Sequence, residues 1–261
     1  MQRATRGIGM DKRDTSLIDV QDLPAALGLL TRLPVPVQAD RAMARGAAAA
    51  WAYPVVGAAI GVIVAAGIAL MQWVGIAGGI AAALALVLAV ILTGAMHEDG
   101  LADSADGLWG GWDRARRLAI MKDSHIGTYG VIALALALLI RWLVLVALVA
   151  TDSYWATLIG AGAVSRAGMV VLMGVMVHAR ADGLSRHVGR PDARTVWLAV
   201  AIAGLIGLIC VGFTAVIAAM AAVIACGLIA RAKIGGQTGD ILGATQQITE
   251  IAVLLAVVAT L

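Results

Sequence analysis

The stretch HEDGLADSADG, residues 97–107, gathers five groups able to bind a cation or move a proton: His97, Glu98, Asp99, Asp103 and Asp106. Asp99, Asp103 and Asp106 are separated by four and three positions, so on an α-helix their carboxylates share one face. Like charges that close repel one another, and a divalent cation with a phosphate is the natural compensation. Magnesium, a hard ion that takes oxygen ligands and retains waters, suits such a set. Glu98 lies one position before Asp99 and needs a turn or another face. His97 does not open a zinc-protease pattern, because no second His follows in HEDGL, and no zinc site is visible elsewhere. A plainer reading stays open: an acidic, solvated membrane-exit loop with a helix cap. The glycines after Asp99 and Asp106 allow either a turn or a close approach of phosphate to the backbone.

Further candidates follow. In MKDSHIGTYG, residues 121–130, Asp123 offers another metal ligand, Lys122 a phosphate contact and Ser124 a helix cap or substrate contact. RAKIGGQTGDILGATQQITE, residues 231–250, lacks the GKS or GKT of a phosphate-binding loop, which excludes an ATPase of that kind. Its glycines still predict an unusual backbone. Gln237, Thr238, Gly239 and Asp240 are the expected substrate contacts there, and Glu250 adds a carboxylate to a polar pocket at the membrane surface. Arg32, in TRLPVP, is set to meet phosphate or to anchor the interface. Arg166, in GAGAVSRAG, lies within an apolar run, where a charge must pair, snorkel or face a polar cavity. An ion pair and an anionic-substrate contact are both open for it. Arg141 sits in a similar run with less to recommend a functional role.

The elements that must position these groups are membrane helices. Of 261 residues, 61% are hydrophobic and only 13% charged, against about 25% charged in an ordinary soluble domain. Residues 46–96 hold no Asp, Glu, Lys or Arg. The predicted fold is all-α: a polytopic bundle of about seven transmembrane helices, six remaining open, in contact with membrane lipid. The expected spans are 51–71, 74–95, 128–149, 153–177, 195–211, 213–230 and 247–261. Residues 1–22 are expected to be a loose leader before a single domain over 23–261, with active-site loops at 97–125, 178–194 and 231–246. Arg and Lys cluster before the first span and in these loops, all on one side of a seven-span topology. The positive-inside rule makes that side, and the N-terminus, cytoplasmic. Cys210 and Cys226 lie in apolar runs and indicate no disulfide framework. No nucleic-acid polymer is expected as a partner. A homo-oligomer or a multienzyme complex is compatible with the sequence.

The segments LTRLPVP at 30–36, YPVVGAAIG at 53–61, HEDGLADSADGLWGG at 97–111, IMKDSHIGTYG at 120–130 and GGQTGDILGATQQITE at 235–250 carry a resemblance. In order and separation, from about residue 23 onward, the chain resembles the adenosylcobinamide-GDP ribazoletransferase, or cobalamin synthase, family. Tyr53 stands where that family usually has Phe, and the last span is short. The resemblance implies a magnesium-dependent enzyme of the bacterial inner membrane. It implies joining of adenosylcobinamide-GDP to alpha-ribazole, or its 5'-phosphate, through the nucleoside 5'-hydroxyl. The products are adenosylcobalamin, or its 5'-phosphate, and GMP. Asp99, Asp103 and Asp106 are then the first candidates for metal binding and catalysis, Glu98 and Asp123 the next, and His97 a base or supporting donor. The CDP-alcohol phosphotransferases are similar in chemistry, but Leu101-Ala102-Asp103 departs from their DG-x2-AR pattern. A transporter, with its charges near the bilayer midplane, and a structural membrane subunit are the non-enzyme alternatives.

Overall fold

A computed structural model describes residues 16–261. The chain runs through α1 (Asp22–Leu30), α2 (Ala39–Arg45), a 3-10 segment (Gly46–Ala52), α3 (Tyr53–Trp73), α4 (Gly78–Thr93), α5 (Met96–Gly110) and α6 (Arg114–Ile120). It continues through α7 (Thr128–Ala150), α8 (Tyr154–Val175), α9 (Leu184–Val188), α10 (Ala193–Cys210), α11 (Gly212–Ile234) and α12 (Gly239–Val258). No strand occurs among the described residues; one parallel bridge joins His178 to Gln237.

Six helical stretches are long and apolar enough to cross a membrane: Ala39–Trp73, α7, α8, α10, α11 and α12. α4 and α5 would make a seventh only as a pair bent by 89°. The expected spans therefore correspond to helices, with two corrections. The last helix begins at Gly239, not near 247, and reaches 20 residues. Residues 97–125, expected as a loop, are mostly the helices α5 and α6. Both differences have one cause. Polar composition suggests a loop, whereas these residues are helical and many face protein.

α8 and α12 form the centre, with 72% and 67% of their spans buried, against 22% for α10 and α11. Most side chains of the outer pair lie outside the protein core. α3 meets α8 backbone to backbone. A Cβ added at Gly57 would lie 2.0 Å from the Gly162 carbonyl oxygen, and one at Gly61 2.3 Å from that of Leu158. This four-residue glycine spacing is how membrane helices gain close packing where the hydrophobic effect gives little. The expectation of a loose leader over 1–22 falls mainly on residues 1–15, outside the described residues. Its end is tied down. Asp22, fully buried, accepts from Arg45 Nε at 2.8 Å and Trp51 Nε1 at 2.7 Å, and Arg45 Nη1 donates to the Ser16 carbonyl at 2.6 Å.

Candidate active site

The acidic segment is aimed by a sharp bend. Gly94 and Ala95 both adopt left-handed backbone, φ 65° and 58°. Glycine accepts this freely; a residue with a Cβ gives up roughly 1–2 kcal/mol. Strain of this kind persists only where surrounding structure enforces it. Arg32 helps to do so. Its backbone N–H donates to the Leu92 carbonyl at 2.8 Å, and its side chain lies where a Cβ on Gly94 would be, 2.2 Å from Nε.

Beyond the bend, α5 lies on the first turns of α12. A Cβ at Gly100 would stand 2.8 Å from the Asp240 carbonyl and 3.1 Å from Gly243 Cα. Gly100 thus forms no turn; like Gly107, it is a helical contact point. The contact leaves Asp99 exposed and Asp103 half-buried, and brings Asp240 to them from α12. The Asp103 carboxylate sits in the field of Asp99, Asp240 and Asp106, with Arg180 the opposing cation. Arg180 is itself ion-paired to Asp240 at 2.7 Å. The Asp99 and Asp103 side chains accept no hydrogen bond from any described residue.

The other expected ligands have different partners. Asp106 is buried and caps α7, accepting from the backbone N–H of Gly127 at 2.7 Å and of Gly130 at 2.9 Å. It performs the capping expected of Ser124, which is exposed. Glu98 faces inward to Arg141. Asp123 is exposed, and hydrogen bonds from the His125 side chain and backbone hold its carboxyl below the usual range. Lys122 pairs with Asp182 at the surface. Gln237, fully buried, accepts from Ser185 Oγ at 2.6 Å and donates to His178 Nδ1 at 2.9 Å. Burial, with Arg186 and Arg190 nearby, pushes the His178 imidazole below its ordinary range. Thr238 caps α12 by accepting from Ile241 N–H at 3.2 Å. Gln237 and Thr238 thereby fix the start of α12, and Gly239 and Asp240 border a cavity of about 200 Å³ beside Asp99 and Arg180.

A second charged region lies within the helices. Arg141 meets Glu98 at 3.1 Å and Glu250 at 2.8 Å, and Arg166 meets Glu250 at 2.9 Å. Gln247 links Glu98 to Arg141, and Gln246 donates to Glu250. All four charged residues are buried. Arg166 thus forms the ion pair left open above, and Glu250 does not join a pocket at the membrane surface. The network borders a cavity of about 30 Å³, room for about one water molecule. His97, 1% exposed, lines both cavities, and neither of its ring nitrogens has a hydrogen-bond partner among the described residues.

Among the described residues, no group of three His, Cys, Asp or Glu side chains is arranged to hold a cation by itself. Magnesium seldom needs one: it is held through one or two carboxylates, with substrate phosphates and waters completing the shell. Asp99 and Asp103, accessible and free of other hydrogen bonds among the described residues, fit that mode, whereas Glu98, Asp106 and Asp123 are engaged by Arg141, by the backbone of α7 and by His125.

The sequence model of the Cobalamin-5-phosphate synthase family matches residues 22–258, which takes in the acidic helix, the Arg180 loop and all of α12. The chain belongs to that family. Family membership makes it a transferase of cobalamin synthesis. It is 47% identical over 244 residues to the adenosylcobinamide-GDP ribazoletransferase of Mesorhizobium japonicum, covering 90% of this chain and 92% of that protein. It is 42% identical to the proteins of the same name from Bradyrhizobium diazoefficiens (92% of this chain, 94% of that one) and Azorhizobium caulinodans (90% and 94%). No solved structure matches significantly. Two features of this family member escaped the sequence reading: the Arg180–Asp240 pair and the Glu98–Arg141–Glu250–Arg166 network. The second had a signal, since Thr245, Gln246, Gln247, Thr249 and Glu250 interrupt an otherwise apolar run.

Proposed function

We propose that the chain joins adenosylcobinamide-GDP to alpha-ribazole or its 5'-phosphate, with magnesium, at the cytoplasmic face of the bacterial inner membrane. The observation that carries this reading is the excess of carboxylate at the α5–α12 contact: among the described residues, Asp99, Asp103 and Asp240 stand against Arg180. Such a surplus repels a bare pyrophosphate but suits one that arrives with a divalent cation. Asp99 and Asp103 are the residues to hold that ion, and Arg180 is placed for a phosphate oxygen. Bound there, magnesium would offset pyrophosphate charge and ease departure of the leaving oxygen.

A ribose hydroxyl of the acceptor attacks the phosphorus bonded to cobinamide, and the bond from that phosphorus to the GMP phosphate breaks. GMP leaves, and the hydroxyl proton passes to a carboxylate at the rim. When the acceptor carries a 5'-phosphate, its 5' oxygen is already esterified, so the attacking group is then a secondary ribose hydroxyl. The family description, which names a 5-phosphate product, favours that form over attack by the 5'-hydroxyl. The clustering of Lys and Arg in the same loops supports the cytoplasmic orientation. A transport reading would assign the work to the buried charges, but these neutralise one another around a cavity of only about 30 Å³.

Purified protein in lipid, given adenosylcobinamide-GDP, alpha-ribazole and magnesium, is expected to release GMP and joined corrinoid in equal amounts, and to stop on chelation. Release of GMP without a joined product, or full activity in excess chelator, would sink the reading.

A further inference from the structure

The cavity beside Asp99 and Asp240 changes character with depth. Its outer residues are charged: Asp99 is exposed, and Asp240 and Arg180 are half-buried. Its inner wall is mainly apolar, made by Leu30, Met96, Met169, Met173 and Leu242, with the phenol of Tyr53 adding a hydroxyl. Leu30 and Met173 are almost fully buried. Methionine side chains are flexible and polarisable and pack well against flat rings. Within this wall stands His97, 1% exposed, with both ring nitrogens unpartnered. An imidazole carries at least one N–H donor, and a buried donor without an acceptor is costly.

We infer that this cavity seats the aromatic base of the acceptor, with His97 donating to its one free ring nitrogen. The inference rests on the transferase reading above. Alpha-ribazole is a riboside of dimethylated benzimidazole: a flat fused bicycle with a hydrocarbon edge and a single ring nitrogen left to accept. An apolar cavity of roughly 150 Å³ is enough to take up benzene, so about 200 Å³ suits a bicycle and is far too small for a corrinoid. Guanine, the other base in the reaction, has a carbonyl, a ring N–H and an amino group that all need partners. Of the hydroxyls lining the cavity, Ser185 is committed to Gln237 at 2.6 Å, which leaves Tyr53 and His97, too few to satisfy all three groups inside the apolar wall. With the base inside, the ribose lies at the charged rim, beside the carboxylates that would take its proton. His97 is thus a specificity residue and not the general base.

The test is binding of alpha-ribazole to the whole protein in detergent, by calorimetry, without donor or magnesium. Wild type is expected to bind it about tenfold more tightly than the analogue in which the free ring nitrogen is replaced by CH. His97→Phe is expected to bind both equally and weakly. Removing the two methyl groups from the base should also weaken wild-type binding about tenfold. Met173→Trp, which fills the cavity, should raise the KM for acceptor at least tenfold and leave that for donor unchanged. Should either variant fail to fold, the two analogues still decide the matter on wild type alone. Equal affinity of wild type for alpha-ribazole and the nitrogen-free analogue overturns the inference. So does discrimination retained in His97→Phe, or displacement of alpha-ribazole by GMP. Wild type that binds as expected but transfers nothing would defeat the transferase reading and leave the cavity assignment standing.

Discussion

Glu98 and Asp99 are neighbours in the chain, yet they belong to charged regions of opposite kinds. Glu98 turns inward to a closed set of two carboxylates and two guanidiniums, where Arg141 and Arg166 balance Glu98 and Glu250. Asp99 turns outward to a set that does not balance, where Asp99, Asp103 and Asp240 face Arg180. A buried charge persists only if compensated inside the protein. A charge at a polar surface can instead await compensation from a ligand. Neutrality marks the first region as a clamp that fixes α5 against α7, α8 and α12. Imbalance is why we propose the second as the place for a cation and a phosphate.

Breaking the closed set should have the largest effect. Arg141→Ala leaves Glu98 and Glu250 short of a partner in the protein interior, and is expected to cost about 3–5 kcal/mol of stability. Denaturant unfolding in detergent measures it; a loss under about 1 kcal/mol would remove the distinction between clamp and site. The open set predicts the reverse pattern. Asp103→Asn relieves repulsion, so the fold should be unharmed while transfer falls at least ~100-fold through lost charge at the phosphates. Near-normal turnover by well-folded protein would take Asp103 out of the mechanism. A carboxylate outside both regions sets the baseline. Asp192 caps α10, accepting from Thr195 N–H at 2.8 Å, and that bond holds its carboxyl below the ordinary range. Asp192→Ala should cost about 1 kcal/mol at neutral pH and leave transfer unchanged. A lowered folded-state value means that the contribution is present above the unfolded value of about 3.9 and is lost as pH falls through the folded one. The difference between wild type and variant should therefore shrink below about pH 4; a constant difference would show that the carboxylate charge is not what caps the helix.

The apolar runs were legible because a helix that crosses a membrane must be apolar along most of its length. Helical spacing placed Asp99 and Asp103 on one face, and α5 is indeed helical. That α5 was a helix and not a loop was harder to read. Its exposed and buried polar residues alternate within a few positions, and nothing in HEDGLADSADG says which carboxylate points to protein. Asp106 reads as a ligand until the N–H groups of Gly127 and Gly130 are seen to lie against it. Arg180 reads as one of several loop cations until α12 starts at Gly239 and carries Asp240 to it.

By itself the sequence determined a membrane bundle, its approximate spans, the family resemblance and a concentration of acid at one helix. These are local or compositional properties, set by hydropathy, charge and helical periodicity. Only the tertiary structure decided which acids are neutralised, because the deciding contacts join residues 43, 60 and 109 positions apart. A carboxylate has the same chemistry in either region. Its role follows from whether a guanidinium reaches it, and that depends on how α5, α7, α8 and α12 come together.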